Sequence, residues 1–342
     1  MKEKNVFTET VLTSNSENYN PKNDDPGLIN AWGIVKDGNT VWINANGTST
    51  VRHYSKKGKL LSPPVAVLAN PLTTPIPATG SPSGLVKNKT EDFIIPATGE
   101  SSFLIGCTED ATVYAIAAGS TEANTVFFDD PLIHSYKGVA IYHNYLFVAD
   151  LAVSNGGIQV FDSTFKKSDL SPLLLDYTLP AGYGAYNIAV LNDALYVTYA
   201  LSDGAVPPPP DNVPGLGLGF VNKITIKFDD KNPTKSKVTI KRIISRSSGN
   251  GFLNGPWALG IVPPNNGKYS CQLMVGNFSD GFINVFTWDG CFIGSLKASC
   301  CTNRSIDGLW GLLPIDDTIY FTAGPNDESD GLFAKLTSTD EC

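Results

Sequence analysis

One short phrase returns six times along the chain, and nothing else constrains the fold as much. A small or aromatic residue is followed by Gly or another small residue and then by aliphatics. The copies read AWGIV (Ala31 to Val35), PSGLV (Pro82 to Val86), YKGVAI (Tyr136 to Ile141), YNIAV (Tyr186 to Val190), PWALGIV (Pro256 to Val262) and LWGLL (Leu309 to Leu313). Aligned on Gly33, Gly84, Gly138, Asn187, Ala258 and Gly311, they lie 51, 54, 49, 71 and 53 residues apart. Five intervals define six units.

Each unit continues alike. A turn follows the phrase, then a β-rich run: TVWIN, SFLIGC, YLFVAD, ALYVTY, QLMVGN and TIYFTA in chain order. A polar, usually Gly-containing turn leads into an alternating strand, as in GGIQVFD (Gly156 to Asp162) and DGFINVF (Asp280 to Phe286). Period-two alternation between Gly, Asn and Asp turns is the signature of antiparallel hairpins. No stretch shows the period of an amphipathic helix. Units of ~50 residues built only from such strands are propeller blades, and six close a ring around a channel. Innermost strands converge where side chains have least room, which explains the recurring glycine.

The expected fold is therefore all-β: one six-bladed β-propeller of four-stranded antiparallel blades spanning residues 1–342. The blades run roughly over 28–75, 80–130, 134–180, 184–246, 254–298 and 306–337. The sixth unit holds only three strands. The spare strand at residues 5–12 is expected to pair outside Leu332 to Leu336, completing the last blade and hiding its edge. A seventh blade would need another copy of the phrase. A two-sheet sandwich is the structural alternative.

Composition limits the function classes. With 42% hydrophobic and 17% charged residues, 32 Gly and 23 Pro, the chain is globular and turn-rich. A formal net charge of −8 repels phosphate backbones, so nucleic acid is not an expected partner. No apolar run approaches the ~20 residues of a transmembrane helix, and the N-terminus carries no apolar stretch of a leader. Six cysteines (Cys107, Cys271, Cys291, Cys300, Cys301, Cys342) permit up to three disulfides or six idle thiols. Four Asn-x-Ser/Thr sequons lie at Asn46, Asn88, Asn277 and Asn303. Together they favour an extracellular or particle- or cell-surface setting over the cytoplasm.

Blocks along nearly the whole chain resemble a known group. PGLINAWGI, GSPSGLV, FDSTF, PAGYGAYNIAVLNDALYVTYA, GPWALGI, VGNFSDGFINVF, IDGLWGL and FTAGPNDESDGLF are similar to uncharacterised, mostly bacterial secreted propeller proteins. Some of that group carry a C-terminal sorting signal. The resemblance implies a six-bladed ring broadly akin to NHL-repeat and lactonase-type propellers. It implies no settled activity and supplies no catalytic residues.

In such blades the turn between strands two and three shares a face with the link into the next blade. That face is expected to gather Asn30, Trp32, Asn44, Tyr186, Asn187, Trp257, Asn277 and Trp310 around a channel mouth. Aromatic faces beside amides suit a carbohydrate or another polar small molecule, or a protein partner. The competing reading has the tryptophans wedging blades while Asn and Asp satisfy turn backbones. Asp150, Asp307 and Asn326 are hard oxygen donors that Ca²⁺ would accept in the central channel. NDESDG (Asn326 to Gly331) lacks EF-hand spacing and reads better as a self-bonded turn.

No catalytic motif stands out. GSPSG puts Pro82 where a nucleophile elbow needs Ser, and GLGLG (Gly215 to Gly219) follows no strand-to-helix turn. An insertion at Leu201 to Gly219, containing VPPPPDNVP, accounts for the long fourth interval and is expected to lie over the mouth. The leading expectation is a binding or scaffold propeller presenting its mouth to a ligand or partner. The alternatives are a Ca-dependent lactonase-type hydrolase and a structural assembly component.

Overall fold

The computed structural model describes residues 6–73, 79–153, 156–205, 209–229, 231–246 and 251–339. Cys342, Asn5 at the start of the expected closing strand, and residues 206–208 of the proline run lie outside them. Six sheets follow one another along the chain, each beginning with a copy of the recurring phrase. The first strands are Ala31–Asp37, Pro82–Lys87, Tyr136–Tyr142, Tyr183–Leu191, Pro256–Ile261 and Leu309–Ile315. Each pairs only with the second strand of its blade, so its other edge borders the channel. The result is a six-bladed β-propeller.

The ring closes as the missing strand requires. Val6–Ser14 runs antiparallel to Leu332–Thr339, with Val11 opposite Ala334 and Val6 opposite Thr339. The last blade is thus completed by the other end of the chain, and its outer edge is covered again by the short parallel strand Asn23–Asp24. Phe7, fully buried, fixes this strand in the core. Blade three builds its outer layer differently. After a single bridge between Phe161 and Lys167, a 3-10 turn at Ser171–Leu174 takes the outermost place. Pro172 cannot donate to a ladder, and buried Leu170 and Leu174 fill the space a fourth strand would occupy.

The recurring glycines meet a neighbouring blade rather than the open channel. A Cβ on Gly84 would lie 2.8 Å from the backbone N of Val139, and one on Gly311 would lie 2.8 Å from the carbonyl of Trp32. First strands of adjacent blades therefore touch backbone to backbone, and any side chain would push them apart. Where the phrase carries Asn187, the contact is polar instead: its amide donates to the Trp257 carbonyl at 2.8 Å.

Candidate functional site at the channel mouth

All six first strands carry a β-bulge at the same place. Register slips between Ala31 and Ile34, Pro82 and Leu85, Tyr136 and Gly138, Ala185 and Asn187, Pro256 and Ala258, and Leu309 and Leu312. One extra residue per blade leaves the ladder there, and a bulge re-aims side chains. The residue before each phrase glycine, or its counterpart, forms one layer at the mouth: Trp32, Ser83, Lys137, Tyr186, Trp257 and Trp310. The next layers hold the small residues and then the aliphatics. Six repeats thus give six positions at one depth.

The aromatic members close the channel. Phe278 stacks on Trp310 at 4.0 Å between centroids, and Trp310 stacks on Trp32 at 3.6 Å, both at 22°. Trp257 meets both indoles edge-on at 6.0 and 5.6 Å, and Tyr186 meets Trp310 at 6.2 Å. Trp32, Trp257, Trp310 and Tyr186 are buried. Removing each indole's roughly 150–250 Å² from water is worth roughly 4–6 kcal/mol before entropy. This column is a plug, and only the partly exposed Phe278 presents a ring outward.

The opposite side of the mouth is charged. Lys137 is fully buried, pairs with Glu109, and holds its ammonium 5.3 Å from the Trp32 centroid. Burial works against this charge. Glu109 foremost, then Asp211 and Glu328, outweigh burial and raise its pKa. These carboxylates come from blades two, four and six, each from the turn after the second strand. Asn30 donates to Glu328 at 2.9 Å while accepting from the Trp310 indole at 2.9 Å, and Asn46 donates to Glu109 at 2.9 Å. One hydrogen-bond chain therefore joins the plug to the acidic rim. Burial first, then Glu109 and Asp211, push the Glu328 carboxyl up to about 7, against Lys137 and Asn30, which pull it down.

Backbone strain places Glu328. Asn326, Asp327 and Glu328 are consecutive left-handed residues, at φ 59°, 50° and 63°. Asn and Asp tolerate this region, but Glu there costs of order 1–3 kcal/mol, and such outliers cluster at functional sites. The insertion contributes as well. Tyr186 donates to Asn212 at 2.9 Å and to Asp211 at 3.3 Å, anchoring residues 211–212 at the mouth.

Several residues expected at the mouth are bonded into the framework. Asn44 is buried, donating to the carbonyls of Ser83 and Gly84 at 3.0 Å and accepting from Tyr114 at 2.7 Å. Asn187 bridges blades four and five, as above. Asn277 donates to Phe252 O at 2.7 Å and to Asp280 at 3.0 Å. Asn30 alone of the four amides joins plug and rim. Asn88 and Asn277 are buried with committed amides, so neither sequon can carry a glycan in the folded chain, whereas Asn303 is exposed.

The oxygen donors named for Ca²⁺ do not converge. Asp150, in blade three, is buried and accepts from Ser135 N at 3.0 Å and from His134 at 2.5 Å. Burial opposes the imidazolium, yet Asp150 and then Asp129 raise the His134 pKa. Asp307 and Asn326 belong to blade six, across the ring, where Asp307 accepts from Asn326 N at 3.0 Å. Among the described residues no three His, Cys, Asp or Glu side chains stand close enough to hold a metal ion. Where carboxylates do gather, the Lys137 ammonium stands among them and repels a dication. The donor set does not fit calcium.

Lys137, Glu109, Glu328 and Phe278 were not singled out as site residues by sequence reasoning. Lys137 had a usable signal, since it fills the position that holds Trp32, Trp257 and Trp310 in other copies. The rest lie in turns of unlike length, where no repeat aligns them.

The fold and mouth define the class: a six-bladed propeller with an aromatic plug and a charged rim. The chain belongs to a family that includes an uncharacterised protein of Acanthamoeba polyphaga mimivirus, 30% identical over 337 residues, covering 95% of this chain and 78% of that protein. A second uncharacterised mimivirus protein is 29% identical over 325 residues, covering 91% and 81%. No protein-family model matches. Among solved structures, regucalcin from Agrobacterium tumefaciens, a calcium-binding protein, superposes with a TM-score of 0.60 at 10% identity, over 98% of this chain and 96% of that one. Virginiamycin B lyase from Staphylococcus aureus gives 0.53 at 12%, over 97% and 98%. At such identities the likeness is one of fold. Among the described residues no helix is long and apolar enough to cross a membrane.

Proposed function

We propose that this protein is a binding propeller whose channel mouth takes a small polar ligand carrying a cationic group, such as an amino sugar or a polyamine. The observation that carries this reading is the buried Lys137–Glu109 pair, with Glu328 and Asp211 fastened beside the same plug by Asn30 and Tyr186, so that carboxylates of three alternate blades act on one ammonium. Three carboxylates against one ammonium make an already negative rim more so once Glu328 ionises. Glu109 is already paired, so Asp211 and Glu328 are the groups left to receive a ligand's ammonium. Phe278 offers an adjacent ring face for its apolar side. Among the described residues the mouth is a polar site with no assembled nucleophile or metal centre, which supports binding rather than hydrolysis. A surface or secreted setting belongs to the same proposal and is supported by the disulfide at Cys300.

A panel of amino sugars, polyamines and neutral sugars, screened by thermal shift at pH 8, tests the reading. Amine-bearing members should raise the melting temperature of the wild type and not of Glu328→Gln. A panel in which only neutral or anionic members stabilise the protein would refute it.

A further inference from the structure

The face opposite the mouth holds a second recess that the polar site does not use. Below the plug the channel widens into a funnel of about 490 Å³, within the about 300–1,000 Å³ typical of small-molecule sites. Its floor is the glycine layer with Asn187 and Trp257. Its wall is aliphatic in every blade, with Ile34, Leu85, Val139, Ile188, Leu259 and Leu312 as one complete ring. Val190, 37% exposed, lies among the wall residues. The free edges of the first strands add backbone donors and acceptors between these side chains, which favours an amphiphile over a pure hydrocarbon.

Only two charged residues line this recess among the described residues, and both are lysines. Lys87 is committed to Asp37 at 2.6 Å and lies over Phe103. Lys89 is exposed and makes no ion pair among the described residues. We infer that the funnel binds a free aliphatic carboxylate, its chain directed to the Trp257 floor and its head group at Lys89. The one lysine at its rim that is unpaired among the described residues and the ring of aliphatic side chains below select such a ligand, whatever the mouth on the other face binds.

Decanoate is the probe. Calorimetry should show saturable binding to the wild type. Lys89→Gln should weaken decanoate about three- to tenfold while leaving decanol unchanged, and Val190→Asp, at an exposed position, should abolish binding of both. Chain direction is read in the wild type without any variant. 10-Bromodecanoate should quench tryptophan fluorescence more strongly than 2-bromodecanoate, and Trp257→Phe should reduce the difference, Trp32 and Trp310 lying one ring further off. Equal quenching from both bromine positions, or decanoate binding unchanged in Val190→Asp, would overturn the inference. Phosphatidylglycerol vesicles separate the two sources of such a chain. A free acid predicts no co-sedimentation, and vesicle binding without decanoate binding contradicts it.

Discussion

The Lys137 ammonium stands 5.3 Å from the centroid of the Trp32 ring, reaching from blade three to the indole of blade one. Both side chains come from the bulged position of their first strands, so one backbone irregularity, repeated, brings a cation to an aromatic face. A desolvated cation–π contact of this kind is worth about 2 kcal/mol. It adds to the attraction of Glu109, Asp211 and Glu328 that keeps this fully buried lysine charged.

Lys137→Met should destabilise the protein by about 3 kcal/mol, at the low end for breaking a buried pair, because Glu109 retains some contact with water. Urea denaturation measures the loss. Combining it with Glu109→Gln should recover part of the stability, since the carboxylate in contact with Lys137 is then no longer left buried without its cation. A double variant no better than the single one would mean that Lys137 acts through packing alone.

Glu328 predicts a slope of stability with pH. Its folded pKa, about 7, lies above the ordinary 4.5, so the folded state binds the proton more tightly than the unfolded chain. Its contribution is therefore complete below pH 4.5 and is lost as pH rises through 7. Solvent screening limits the effect to roughly 2–3 kcal/mol. Denaturation at pH 5 and pH 8 should show this component in the wild type and not in Glu328→Gln. An identical slope in both would remove Glu328 from the account.

The contact between first strands sets a third expectation. Gly84→Ala should cost about 1–3 kcal/mol, the usual penalty of overpacking, because the new methyl meets the Val139 backbone. Gly251→Ala, where nothing among the described residues lies within 4 Å, should be near neutral. Melting temperatures of the pair decide whether close approach is what the phrase glycine provides.

Closure of the ring depends on Phe7. Phe7→Ala should cost about 3–5 kcal/mol and free the first strand, exposing the Leu332–Thr339 edge to other chains. Hydrogen exchange should then rise first in residues 332–339. Uniform exchange across all blades would show that the closing strand is not a separate fastening.

The fold was legible because it repeats. Six copies of one phrase carry strand period, turn and inner-layer position together, and even the spare strand at 5–12 follows from counting strands in the last unit. The site was legible only in part, since function resides where copies differ. Trp32, Trp257 and Trp310 were visible as aromatics at a shared position, but their stacking into a plug depends on bulges that leave no composition signal. Asn44 and Asn277 read as ligand groups because an amide in a turn looks alike whether it faces solvent or a neighbouring carbonyl. Glu328 was hidden inside NDESDG, where three successive left-handed residues, rather than any spacing rule, turn one acid inward.

The central claim is that the acidic rim around Lys137 binds a cationic ligand. Calorimetric titration with the best member of the amine panel, at pH 6 and pH 8, in the wild type and in Glu328→Gln, tests it most directly. The account predicts tighter binding at pH 8, where Glu328 is ionised, and at least about tenfold weaker binding with no pH dependence in the variant. Affinity that is equal at both pH values and unchanged in Glu328→Gln would contradict it.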